Sequence, residues 1–137
     1  MIDLALVETA FATIRARAQS EFKGAMITGG NLPCCVTCGF TEIEFRAAEQ
    51  QEDEPEGLLV GYAFYHEQDT AGCLEGGDLW LCYGALDEQG PATPEQVADL
   101  IVGCLREAGF TVEWNGSVNT RICVKAEVIA QAIEATP

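Results

Sequence analysis

The sequence has few basic residues for its length. Lys and Arg number 7 against 22 Asp and Glu in 137 residues, which gives a formal net charge of −15. A surface with this balance repels phosphate backbones, so we expect no direct binding to nucleic acid. The same charge suits an acidic immunity or inhibitor protein that binds a basic protein partner. A simpler interpretation is a well-solvated surface that keeps the protein soluble.

Long apolar runs are also missing. No run approaches the roughly 20 apolar residues that a membrane-spanning helix needs. The amino terminus carries Asp3 where a secretory signal peptide has positive charge. We therefore expect a cytoplasmic protein that does not interact with membranes. Because 137 residues with 48% hydrophobic content suffice for one core, residues 1–137 are predicted to form a single domain.

The spacing of apolar residues predicts a mixture of helices and strands. Glycines and Pro33 punctuate residues 24–33, which predicts an irregular segment that ends in a cysteine-containing loop. Thr41 and Glu44 have the capping-box spacing, so a helix is predicted to begin near residue 40. Asn115-Gly116 predicts a tight hairpin turn. Helices are predicted over 2–19, 40–50, 94–108 and about 128–133, and strands over 58–65, 79–83, 110–114 and 120–125.

This order of elements predicts an α+β fold. Its sheet is expected to be mostly antiparallel, to contain about four strands and to be covered by helices.

Seven cysteines and one histidine are the residues most suited to chemistry. An odd number of cysteines without an export signal argues against a disulfide framework. Cys82, Cys104 and Cys123 occupy apolar positions of strands or a helix and are predicted to be core residues. The local pattern around Cys73 assigns it no role.

The sequence Cys35-Val36-Thr37-Cys38-Gly39 has the spacing that lets two thiolates bind one tetrahedral metal ion. His66 is the best further ligand, because neutral imidazole commonly binds zinc and this residue follows a predicted strand. We therefore predict a zinc-type site formed by Cys35, Cys38 and His66, with a structural or protein-binding role. A fourth ligand would come from Cys34, Cys73 or Asp69.

The same residues permit other interpretations. A thiol-dependent enzyme or a redox protein would use Cys34, Cys35 or Cys38, with His66 as a base. Asp69 or Glu67 would then orient the imidazole. A cysteine turn that is merely packed, with His66 hydrogen-bonded to a nearby carboxylate, explains the pattern without any site.

Three segments together resemble a known family. They are the Cys-Cys-x-x-Cys-Gly sequence that begins at Cys34, the stretch from Gly61 to Thr70 that contains His-Glu-Gln-Asp-Thr, and the later Trp114-Asn115-Gly116 with Arg121-Ile122. Over residues 30–125 the chain resembles a family of small bacterial proteins described only as a domain of unknown function. The resemblance implies a bacterial source and a shared fold, and it implies no activity, ligand or catalytic residue.

Overall fold

The fold is described from a computed structural model, which describes residues 2–32, 36–87, 90–117 and 120–126. These residues form an α+β structure with helices on both faces of a five-stranded sheet. The helices are α1 (Leu4–Phe22), α2 (Val36–Asp53), α3 (Glu67–Leu74) and α4 (Pro94–Glu107). The strands are β1 (Gly24–Leu32), β2 (Leu58–His66), β3 (Leu79–Ala85), β4 (Val112–Glu113) and β5 (Ile122–Val124).

The sheet has the strand order β1-β2-β3-β5-β4. β1 and β2 are parallel, and the other three neighbouring pairs are antiparallel. The α+β class is confirmed, whereas the prediction of about four strands is wrong. The additional strand is β1, and its pairing with β2 makes the sheet mixed.

The fifth strand lies in the segment that the sequence predicted to be irregular. Its glycines permit close packing and do not break the strand. A Cβ at Gly24 would collide with Val60 on β2, and one at Gly30 would collide with Glu8 of α1 and with Tyr65. Glycine in a strand often marks such a close approach, so here it was misinterpreted as a turn signal.

Helix α2 begins four residues earlier than predicted. Thr41 does not cap it, because its hydroxyl donates a hydrogen bond of 3.1 Å to the Thr37 carbonyl one turn back. Val36 is the first helical residue, so Cys38 lies within the first turn of α2 and not in a loop.

The remaining elements follow the predictions more closely. Asp3 caps α1, and Thr93 and Gln96 form a capping box at the start of α4. β4 and β5 are antiparallel neighbours, but eight residues (114–121) connect them, so the predicted tight turn is wrong. Within this connection, Asn115 Oδ1 accepts hydrogen bonds from Ser117 N at 2.9 Å and from Thr120 Oγ1 at 2.7 Å. The predicted terminal helix lies outside the described residues.

Apolar side chains pack on both faces of the sheet. α1 and α4 cover one face, whose cluster includes Phe11, Leu81 and Ile101. α2 covers part of the other face, where Ile43 and Phe64 are buried. We call this second face the α2 face. In the described part of the chain, no helix combines the length and hydrophobicity required to span a membrane.

Candidate functional site

The end of β2 places the only histidine of the chain on the α2 face. β2 ends at His66, which pairs with Leu32 of β1. Because side chains alternate along a strand, His66 faces the same side as Phe64. His66 is only 3% exposed, so its imidazole lies within the protein.

Asp69 occupies the third position of α3 and is held by two hydrogen bonds. Its Oδ2 accepts from the His66 backbone N at 3.1 Å and from Arg121 Nη2 at 2.7 Å. The first bond satisfies an amide that would otherwise be unpaired where the helix begins. The carboxylate also benefits from the positive end of the helix dipole. Asp69 is therefore a helix-capping residue that is ion-paired with Arg121.

The His66 imidazole lies against this carboxylate without completing a hydrogen bond. Nδ1 is 3.3 Å from Asp69 Oδ2, but within the described structure it is a buried nitrogen without a hydrogen-bond partner. Arg121 Nε is the other such nitrogen, and it belongs to the same cluster. An imidazole whose Nδ1 faces a carboxylate has Nε2 left for metal binding or proton transfer. We call His66, Asp69 and Arg121 the His66 cluster.

Arg121 connects this cluster to the neighbouring strands. Extending the β3–β5 register by one residue places Arg121 opposite Cys82. Its Nη2 also donates to the Trp80 carbonyl at 2.5 Å. Burial raises the pKa of Cys82, and the positive charge of Arg121 opposes this effect. Because burial is the larger cause, Cys82 is a protonated core thiol at neutral pH.

The predicted zinc ligands lie in different environments. His66 is buried, whereas Cys38 is exposed on α2. Cys34 and Cys35 lie outside the described residues. Among residues 2–32, 36–87, 90–117 and 120–126, no three His, Cys, Asp or Glu side chains form a group that could hold a metal ion.

The other cysteines are packed inside the protein. Cys82, Cys104 and Cys123 are buried, as predicted. Cys73, to which the sequence assigned no role, is also buried, with its Sγ 3.7 Å from the Asp78 carbonyl. Burial and the nearby Asp69 and Asp78 raise the pKa of Cys73 to about 11. This thiol is therefore protonated at neutral pH in the structure.

A groove lies beside the His66 cluster, where α2 no longer covers the sheet. Its volume is about 230 Å³, and we call it the Trp80 groove. Trp80 is 44% exposed and pairs with Cys123 of β5, which in turn pairs with Glu113 of β4. The residues that line it are Trp80, Glu113, Trp114, Asn115, Thr120, Arg121 and Cys123.

Two residues of this region were not assigned a functional role from the sequence. Trp80 lies within a predicted strand, and the alternation of apolar residues alone does not reveal that α2 leaves it exposed. Arg121 was named only as part of the family resemblance, without a role of its own. An arginine directly before a buried strand is a usable signal, because its charge requires a partner.

The family comparison is consistent with the resemblance seen in the sequence. A family model described as a domain of unknown function, DUF6891, matches residues 9–128. The chain belongs to this family. The match to DUF6891 includes the His66 cluster and the Trp80 groove, so both lie in the family's domain. No curated protein and no solved structure matches the chain significantly.

Proposed function

We propose that this domain binds a protein partner with a basic surface. The observation that supports the proposal is that the Lys and Arg side chains are bonded within the protein. All seven Lys and Arg side chains donate to acceptors of the same chain. Four of them form ion pairs with carboxylates: Arg17, Arg46, Arg121 and Lys125.

Four of the seven positive charges are therefore compensated by neighbouring carboxylates, whereas the 22 acidic residues give the molecule its net charge of −15. Such a field attracts cationic partners and accelerates their association. Exposed apolar side chains accompany the charge, including Phe45, Leu74 and Trp80. A surface that combines negative charge with exposed aromatics provides both steering and contact area for a basic protein.

Calorimetric titration with hexalysine tests this function in its simplest form. At low ionic strength we expect measurable binding of hexalysine and none of hexaglutamate. A control variant carries Glu52→Gln, Asp53→Asn and Glu54→Gln, which removes three charges at the end of α2. It should bind hexalysine only modestly more weakly, because the attraction comes from the whole molecule. Equal binding of hexalysine and an uncharged peptide would overturn the proposal.

A second candidate function involves the His66 cluster. It is supported by the buried imidazole whose Nδ1 lies 3.3 Å from Asp69 Oδ2, because metal-ligating and general-base histidines commonly have a carboxylate near Nδ1. A zinc ion bound by Cys35, Cys38 and His66 stays a prediction on this basis. Protein purified without a metal-binding tag should then contain about one zinc per chain. Cys35→Ser should lose the zinc, and metal-free wild-type protein would contradict this prediction.

A thiol-dependent activity is the alternative use of the same imidazole. One of Cys34, Cys35 and Cys38 would then react with iodoacetamide much faster than the buried thiols near neutral pH. Replacing the base in His66→Gln should slow that reaction. Uniformly slow labelling of the native protein, with all seven thiols labelled after unfolding, would exclude an activated cysteine.

A further inference from the structure

The Trp80 groove contains a partly exposed indole, that of Trp80, on the surface of the sheet. Trp80 lies within β3, and its carbonyl accepts the hydrogen bond from Arg121. Trp114, at the side of the groove, is fixed because its Nε1 donates to Tyr83 Oη at 2.8 Å and to the Ser117 carbonyl at 3.0 Å. Trp114 is therefore ordered before a ligand binds, which lowers the cost of binding at this side of the groove.

The charges around the groove favour a cation. The charge of Arg121 is neutralised by the buried Asp69. Its Nη2 donates to both Asp69 and the Trp80 carbonyl. Lys125 bonds to Asp78 at 3.0 Å and lies 3.8 Å from Glu113. The carboxylate of Glu113 is 66% exposed at the groove, so it remains accessible to a second cation.

We propose that the Trp80 groove accepts a lysine or arginine side chain of the basic partner. The inference rests on the proposed function and names the place where that partner docks. The cation lies over the indole of Trp80, with Glu113 balancing its charge. Tryptophan attracts cations more strongly than other aromatic residues, and exposed Trp and Tyr often dominate the energetics of an interface. The net charge of −15 brings the basic surface to the groove.

The test measures hexalysine binding to variants of the residues that line the groove and to a control variant. Trp80→Ala should weaken hexalysine binding about fivefold, and Trp80→Phe should be intermediate because its ring attracts cations less strongly. Glu113→Gln should weaken it about threefold. The matched control is Phe45→Ala, an aromatic that is 64% exposed on α2, which should bind within about twofold of wild type. Circular dichroism verifies that each variant is folded.

The outcomes separate the docking site from the general function. Weaker binding in Trp80→Ala with unchanged binding in Phe45→Ala supports the groove. Salt-sensitive hexalysine binding that is equal in wild type and Trp80→Ala overturns the groove and leaves the proposed function intact. If wild-type protein does not bind hexalysine at all, both proposals fail.

Discussion

In the His66 cluster, several nitrogen atoms lie close to a single carboxylate oxygen. Asp69 Oδ2 accepts from the backbone of His66 and from Arg121, and Nδ1 of His66 lies near the same oxygen without an aligned hydrogen bond. A buried nitrogen without a partner is unfavourable, and native proteins contain few of them. Among the described residues, the two buried side-chain nitrogens without a hydrogen-bond partner both belong to this cluster, and such unsatisfied groups are often found at functional sites.

Removing the charge of Asp69 tests how much the cluster contributes to stability. Asp69→Asn should lower the free energy of unfolding by about 2 kcal/mol, because Arg121 loses its buried counter-ion. Glu67→Gln, at an exposed position of the same helical turn, is the matched control and should cost less than about 0.5 kcal/mol. Urea unfolding followed by circular dichroism measures both. Equal stabilities of the two variants would show that the ion pair contributes nothing.

Asp78 gives the molecule an acid-sensitive contact between β3 and the residues after β5. Its Oδ1 accepts from Ala126 N at 2.8 Å and its Oδ2 from Lys125 Nζ at 3.0 Å. The hydrogen bond from the Ala126 backbone, followed by Lys125, lowers the pKa of Asp78 below its usual value of 3.8. The stabilising contribution is therefore complete above that value and is lost as the pH falls through the lowered pKa.

Unfolding free energies measured from pH 6 down to about pH 2 test this contact. Asp78→Asn removes the titrating group, so the difference between wild type and variant should shrink as the pH falls below the usual carboxyl range. Asp99→Asn, at an exposed position of α4, should show a smaller pH-dependent difference. A constant difference between wild type and Asp78→Asn across this range would contradict the assignment.

Among the elements, the sequence patterns predicted those with a strong period and missed the one built around glycine. α1, α4, β2 and β3 all lie where their apolar spacing indicated. The sequence patterns did not predict β1, because glycines such as Gly24 and Gly30 are common in turns. In the fold, these glycines allow neighbouring side chains to approach the strand closely. That distinction depends on contacts with residues distant in the sequence, such as Val60 and Glu8.

Helix α2 packs against the sheet through a second close approach. A Cβ at Gly39 would collide with the buried ring of Phe64, whereas one at Gly103 in α4 would meet no atom within 4 Å. We expect Gly39→Ala to lower the free energy of unfolding by about 1–3 kcal/mol through overpacking. Gly103→Ala should raise it by up to about 1 kcal/mol, because alanine favours the helix.

Thermal or urea unfolding of the two glycine variants provides the comparison. Opposite signs are the expected result, since the substitution is chemically the same in both helices. Stabilisation by Gly39→Ala would mean that α2 does not lie against Phe64 as described.

For the whole molecule, composition is the source of the proposed partner class, whereas it points to no site. The charge of −15 was evident from counting residues. The structure adds that every Lys and Arg bonds to its own chain, which counting does not reveal. The Trp80 groove could not be predicted from the sequence, because it depends on how far α2 extends over the sheet. The grouping of His66 with Asp69 was anticipated as one alternative, whereas the position of Arg121 beside them required the β3–β5 register.

Binding of hexalysine at two ionic strengths is the most direct test of the central claim that this domain binds a basic partner electrostatically. Between about 20 mM and about 300 mM NaCl the affinity should fall about tenfold or more, because added salt screens the attraction. Calorimetry of the full chain provides both dissociation constants. An affinity that does not change with salt would contradict the account.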